Sequence, residues 1–130
     1  MNSAAILSQG KKDDSSKVQV ELLSPLWLLG VGRILTRGAT KYSAHNWRKG
    51  LERARTVGAS LRHIFAYLAG EDNDSETGES HLLHASCELM FSYELSLTHP
   101  QTDNRFKLPA EIIKKEFQLP DQTKKGIPNV

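Results

Sequence analysis

The chain has 130 residues, 38% of them apolar and 25% charged, with a formal net charge of +2. This describes one soluble globular domain with room for a core and excludes both a disordered segment and a two-domain protein. The single cysteine, Cys87, excludes an internal disulfide and fits a reducing cytoplasm. No apolar run approaches the roughly 20 residues of a membrane-spanning helix.

Residues 1–21 are polar, lack the basic-then-apolar order of a secretory signal and read as a flexible arm. A first helix is expected over about 25–38. Ser24 is a good N-cap, Pro25 suits the first helical position, and Gly38 is a plausible stop. Gly38 to Leu51, "GATKYSAHNWRKGL", has no clean period and reads as a long ordered loop. A second helix is expected over about 56–70, with Val57, Leu61, Ile64 and Leu68 as its core stripe and Gly70 as its end. The stretch that follows is a loop, and a third helix spans about 79–97. Residues 98–130 form an irregular tail with a possible short helix near Ala110–Phe117. No segment alternates at period two, so the expected fold is all-α. It is a small bundle of three main helices over residues 22–97, between the arm and the tail.

Charge is unevenly spread. From Arg33 to Arg62 there are eight basic residues against one acid, Glu52. From Gly70 to His84 the chain carries Glu71, Asp72, Asp74, Glu76 and Glu79, then His81 and His84, and no Lys or Arg. A basic segment beside an acidic one suits a polyphosphate held by cations at one end and a carboxylate-bound metal at the other. Two solvated surface patches are the plain alternative. On a helical wheel His81, His84 and Glu88 fall together, with the small Ala85 and Ser92 between them, opposite Leu82, Leu83, Leu89, Met90 and Tyr93. His63 lies off its own helix's apolar stripe, beside Ala59, Ala66 and Gly70. Two helices thus present histidines from small-residue faces, and the acidic loop joins them, as a divalent-metal or phosphate site between helices requires. An EF-hand is excluded, because Thr77 stands where the loop needs glycine and Leu83 where it needs glutamate. In "KYSAHNWRKG", Tyr42 and Trp47 offer stacking surfaces to a base, Asn46 a base-edge partner, and Lys41, Arg48 and Lys49 phosphate contacts. For Trp47 the competing role is an anchor of the loop in the core. There is no Walker loop, dinucleotide fingerprint or nucleophile motif, and Cys87 reads as an ordinary buried helix residue.

"LLSPLWLLGVGRILTRGATKYSAHNWRKGL", followed by "LRHIFAYLAGEDNDSETGESHLLHA", resembles the phage and prophage dATP/dGTP diphosphohydrolase N-terminal domain family. The shared pattern is an apolar helix, Gly-Ala-x-Lys-Tyr-x-x-x-Asn-Trp-x-x-Gly, Arg-His, Gly-Glu, acids, Gly and His-x-x-His-Ala, over about Leu22 to Leu97. The resemblance implies hydrolysis of a purine deoxynucleoside triphosphate to the monophosphate and pyrophosphate. It also implies kinship with the all-α MazG-like pyrophosphohydrolases, which use a divalent metal, usually magnesium, and work as oligomers. The motif matches carry over Lys41, Tyr42, Asn46, Trp47, Arg62, His63, Glu71, Asp74, His81 and His84.

The expected roles follow. Glu71, Asp74, His81 and His84 hold a divalent metal, magnesium or manganese or a transition ion. His63 is ligand or general base, and Glu71 also serves catalysis. Lys41, Arg48 and Arg62 take phosphate charge, and Tyr42, Asn46 and Trp47 meet the base. A non-catalytic nucleotide-binding module, such as a sponge for a signalling nucleotide or a regulatory domain, is the alternative. Nucleic-acid binding is disfavoured by the adjacent acids. Three helices cannot cover every apolar face, so a homo-oligomer, most simply a dimer, is expected.

Overall fold

The computed structural model describes residues 9–121, so the first eight residues of the expected arm and the last nine of the expected tail lie outside the described residues. Among the described residues four α-helices follow one another: α1 (Pro25–Lys41), α2 (Arg53–Leu68), α3 (His81–Thr98) and the short α4 (Ala110–Glu116). Single 3-10 turns lie at Val20–Leu22, Asn46–Lys49 and Pro100–Thr102. Among the described residues there is no strand, only one isolated antiparallel bridge between Asn73 and Ser80. The fold is all-α, with three main helices as expected, and no described helix is long and apolar enough to cross a membrane.

The helix limits differ from expectation by a few residues, for local reasons. Ser24 Oγ accepts from the Trp27 amide at 3.2 Å, which starts α1 as read. The helix runs through Gly38 to Lys41, because Gly38 does not adopt a positive φ, and the Tyr42 amide still bonds the Gly38 carbonyl. Helix α2 begins at Arg53, ahead of its apolar period. Asn104 Oδ1, from the segment after α3, accepts from the Ala54 amide at 2.9 Å and caps the helix from 50 residues away. It ends at Leu68, and Gly70 (φ 102°) makes the left-handed turn that Cβ-bearing residues avoid. Ser80 caps α3 by accepting from the Leu82 amide at 3.1 Å.

Helices α2 and α3 pack antiparallel, from His63 beside His81 to Thr56 beside Ser92. Their contact is small and polar. Ser60 (1% exposed) donates to the Ala85 carbonyl at 2.9 Å, and Ser92 donates to Thr56 Oγ1 (Thr56 2% exposed) at 2.7 Å. Small side chains let the backbones approach closely, and each buried hydroxyl finds a partner. Helix α1 crosses α3 where Gly30 meets Leu83, so closely that a Cβ on Gly30 would sit 2.4 Å from Leu83 Cδ1. Trp27 Nε1 donates to Ser86 Oγ at 2.9 Å alongside.

The expected core stripe of the second helix is corrected here. Leu61 is 43% and Leu68 76% exposed, and on α3 Leu82 and Tyr93 are 50% and 70% exposed. The chain buries the small-residue faces and leaves Leu61, Leu68, Leu82 and Leu89 outward, while Val57, Ile64 and Leu83 are half-buried and Leu95 is buried.

Candidate active site

The acidic loop is ordered rather than a passive connector. The Asp74 amide bonds the Glu79 carbonyl (2.8 Å), the Gly78 amide bonds the Asp74 carbonyl (2.7 Å), and the His81 amide bonds the Asp72 carbonyl (2.9 Å). Gly78 takes the positive φ (75°) that closes the turn. The turn sets Asp74 inward and half-buried, while Glu71, Asp72 and Glu76 remain exposed.

Three side chains converge where this loop meets α2 and α3. His63 from α2, His81 from α3 and Asp74 from the loop each place a ligand atom within 4.8 Å of the others. His63 Nδ1 and His81 Nδ1 are 2.8 Å apart. The buried His81 donates from Nε2 to Glu71 Oε1 at 2.6 Å, which fixes its tautomer and leaves the Nδ1 lone pair facing His63. Asp74 Oδ2 accepts from the Thr77 amide (3.0 Å) and hydroxyl (3.2 Å). Burial alone would raise the Asp74 carboxyl, but these Thr77 bonds and the nearby imidazoles hold it below its ordinary value. His84 Nε2 bonds Thr77 Oγ1 at 2.7 Å, and its ring stacks on His63, with centroids 4.6 Å apart and planes 9° apart. Burial, with the charge of neighbouring histidines, pushes His63 below its ordinary value. Burial does the same for His84, assisted by His81 and Arg37.

Of the residues expected at a metal, Asp74 and His81 therefore sit with His63, while Glu71 is hydrogen-bonded to His81 and His84 reaches Asp74 through Thr77 and stacks on His63. Thr77, which ties Asp74 to His84, was not singled out from sequence. Its signal was present in the Asp-x-x-Thr spacing of a side-chain-capped turn.

A cavity of about 950 Å³ opens beside this trio, between the end of α1, the Tyr42–Arg48 loop, the first half of α2 and the middle of α3. Of the expected nucleotide-binding residues, Tyr42, Asn46, Trp47, Arg48 and Arg62 line it, and Lys41 does not. Lys41 instead holds its ammonium 5.3 Å from the Tyr42 ring centroid. Trp47 is buried and stacks on Phe91 at 4.6 Å, so it anchors the loop and forms cavity wall at once. Arg48 lies over Trp47 (4.4 Å), contacts His45 and pairs with Glu94 at 2.9 Å. His84 lines the cavity too, and so joins it to the trio. Glu88, one turn beyond His84, adds a carboxyl that burial pushes up to about 7 against the opposing charge of Arg62. Burial pushes the Cys87 thiol up to about 12, which makes it inert, as its sequence context suggested.

The pattern of the family described as dATP/dGTP diphosphohydrolase, N-terminal, matches residues 8–105, which contain the trio and the cavity. A Salmonella phage PMBT28 protein named dATP/dGTP diphosphohydrolase is 36% identical over 96 residues, covering 74% of this chain and 33% of the phage protein. The chain thus spans about a third of the length of that relative. No solved structure matches it.

Proposed function

The chain belongs to the dATP/dGTP diphosphohydrolase N-terminal family, and we propose that it hydrolyses a purine deoxynucleoside triphosphate to the monophosphate and pyrophosphate, with a divalent metal, in the cytoplasm of a bacterial host. The observation that carries this reading is the junction at His84: a nucleotide-sized, arginine-lined cavity meets a cluster of metal-ligating side chains.

The residues fit a metal. Two imidazole nitrogens and a carboxylate oxygen already converge, burial keeps His63 neutral, and a metal would replace the one proton shared between the two Nδ1 atoms. His63, Asp74 and His81 would hold it. This nitrogen-rich set suits manganese or another transition ion better than magnesium, which prefers oxygen. When bound, the ion supplies Lewis-acid neutralisation of phosphate charge.

The chain's own groups do the rest. Arg62, beside His63, takes charge on the β- and γ-phosphates; Arg48, held over Trp47 and paired with Glu94, borders the base end of the cavity instead, and Lys41 adds long-range attraction near Tyr42. The base lies toward Tyr42 and the Trp47–Phe91 stack, with Asn46 at its edge. Glu71 orients His81. His84 has Nε2 committed to Thr77, leaving Nδ1 as the nitrogen that accepts a proton from the attacking water. His63, with Nδ1 toward His81, serves as ligand.

The outward leucine faces of α2 and α3 are covered by a second copy of the chain, making a homo-oligomer.

The test is incubation of the purified chain with each deoxynucleoside triphosphate and magnesium or manganese, with products separated by anion exchange. Monophosphate with equimolar pyrophosphate supports the reading. Tight binding without turnover under any metal replaces it with the non-catalytic nucleotide-binding module.

A further inference from the structure

Among the described residues lining the cavity, Glu88 is the single acid, against Arg48, Arg55 and Arg62. A carboxyl here works against a bound polyphosphate, so its place must be explained by something other than the phosphates. Structural pairing does not explain it. Arg62 acts on Glu88 through charge, yet among the described residues the carboxyl forms no ion pair and no hydrogen bond. It is also absent from the converging metal-ligating trio.

Position supplies the explanation. Helix α3 presents His84, Glu88 and Phe91 to the cavity in that order. His84 stacks on the trio's His63, and Phe91 stacks on Trp47. Glu88 stands ~6 Å along the axis from His84, toward the aromatic end. With the phosphates at the trio, the group meeting Glu88 belongs to the uncharged half of the nucleotide and carries N–H donors. Resting on the hydrolase reading above, we propose that Glu88 reads the Watson–Crick edge of the purine and thereby sets which purine is used.

One side chain serves both purines through its two protonation forms. As a carboxylate, Glu88 accepts from N1–H and the 2-amino group of guanine. As a neutral acid, it donates its O–H to N1 of adenine and accepts from the 6-amino group. The titratable and charged groups around the cavity are Arg55 and Arg62 from α2, His84 and Cys87 from α3, and Tyr42, His45 and Arg48 from the loop. The wall from α1 carries none. Within this set burial prevails and holds the Glu88 carboxyl near 7, so both forms are populated around neutral pH.

The test compares kcat/KM for dGTP, dITP and dATP in the wild-type chain and in Glu88→Gln. The amide copies the neutral acid and cannot accept two donors. The dGTP-to-dATP ratio should therefore fall by about 10–100-fold in the variant. The preference of the wild type for dGTP over dITP, which lacks the 2-amino group, should vanish. In the wild type alone, the dGTP-to-dATP ratio should rise with pH through about 7, a readout that needs no variant. Ratios within twofold of wild type in Glu88→Gln, or a wild-type ratio flat in pH, overturn the proposal while leaving the hydrolase reading intact. Should the wild type bind these nucleotides without turnover, the hydrolase reading falls, and the same ratios taken as dissociation constants decide the role of Glu88. Absence of binding overturns both.

Discussion

Glu88→Gln also isolates what a half-buried acid costs the fold. The folded chain raises this carboxyl from its ordinary 4.5 to about 7. Because the folded-state value lies above the unfolded one, the folded chain holds the proton more tightly. The associated stability is fully present below about 4.5 and is lost as pH rises through about 7. A gap of this size is worth ~3 kcal/mol at about 1.4 kcal/mol per pH unit. The carboxyl borders an open cavity, and solvent screening reduces the figure to ~1–2 kcal/mol. Glutamine keeps the shape and carries no charge. The variant should match the wild type near pH 4.5 and exceed it by ~1–2 kcal/mol at pH 8, with the difference growing between those limits. Urea unfolding of both proteins at half-unit pH steps measures this, and the subtraction cancels every other titrating group. A constant difference across the range, or a variant that loses stability at pH 8, would refute the claim that desolvation dominates at Glu88.

Glu71→Gln should weaken manganese binding about 10–100-fold in titration calorimetry, by releasing the tautomer of His81; unchanged affinity would remove Glu71 from any supporting role. His63 and His84 are held below their ordinary 6.5, so the unfolded chain takes up protons first as pH falls. Their stability is complete above about 6.5 and is lost as pH falls through the folded-state values, which acid-side urea melts of the Glu88→Gln protein will show as a decline toward pH 5, or contradict by staying level. Phe65→Glu, at a position 61% exposed, should convert a sedimenting dimer or larger species to monomer without loss of helical signal, and a wild type that is monomeric at micromolar concentration would end the oligomer reading. Trp47→Ala should cost ~3–5 kcal/mol, as removal of a core aromatic does; a change confined to KM would make Trp47 a base platform alone.

The periodic apolar residues made the helices legible, and the capping residues Ser24 and Ser80 made two of their starts legible, since both signals are local. What periodicity could not say is which face each helix spends on its own chain. Leu61 and Leu68 form the stripe that ordinarily marks a core, yet Thr56 and Ser60 are the residues buried, because Ser92 and Ala85 offer them close approach and hydrogen bonds. The start of α2 was hidden for a related reason. Its cap is Asn104, whose relevance appears only when the segment after α3 folds back.

The site shows the same division and links it to function. His63, Asp74, His81 and His84 were readable as residues that could meet, because the acidic loop joins their two helices directly and the helical spacing puts both histidines of α3 on one side. Their division of labour was not readable. It depends on which imidazole nitrogen Glu71 and Thr77 engage, and that is decided by a turn whose shape rests on Gly78 and on the Asp74–Glu79 backbone bond. The small-residue faces explain why these features occur together. Burying Ser60, Ala85 and Ser92 brings α2 and α3 close enough for His63 and His81 to share one proton. The bulkier Leu61, Leu68, Leu82 and Leu89 are thereby left on the outer surface. A variant that swelled the Ser60–Ala85 contact would separate the two imidazoles without touching either, so the packing between the helices is itself part of the site's geometry.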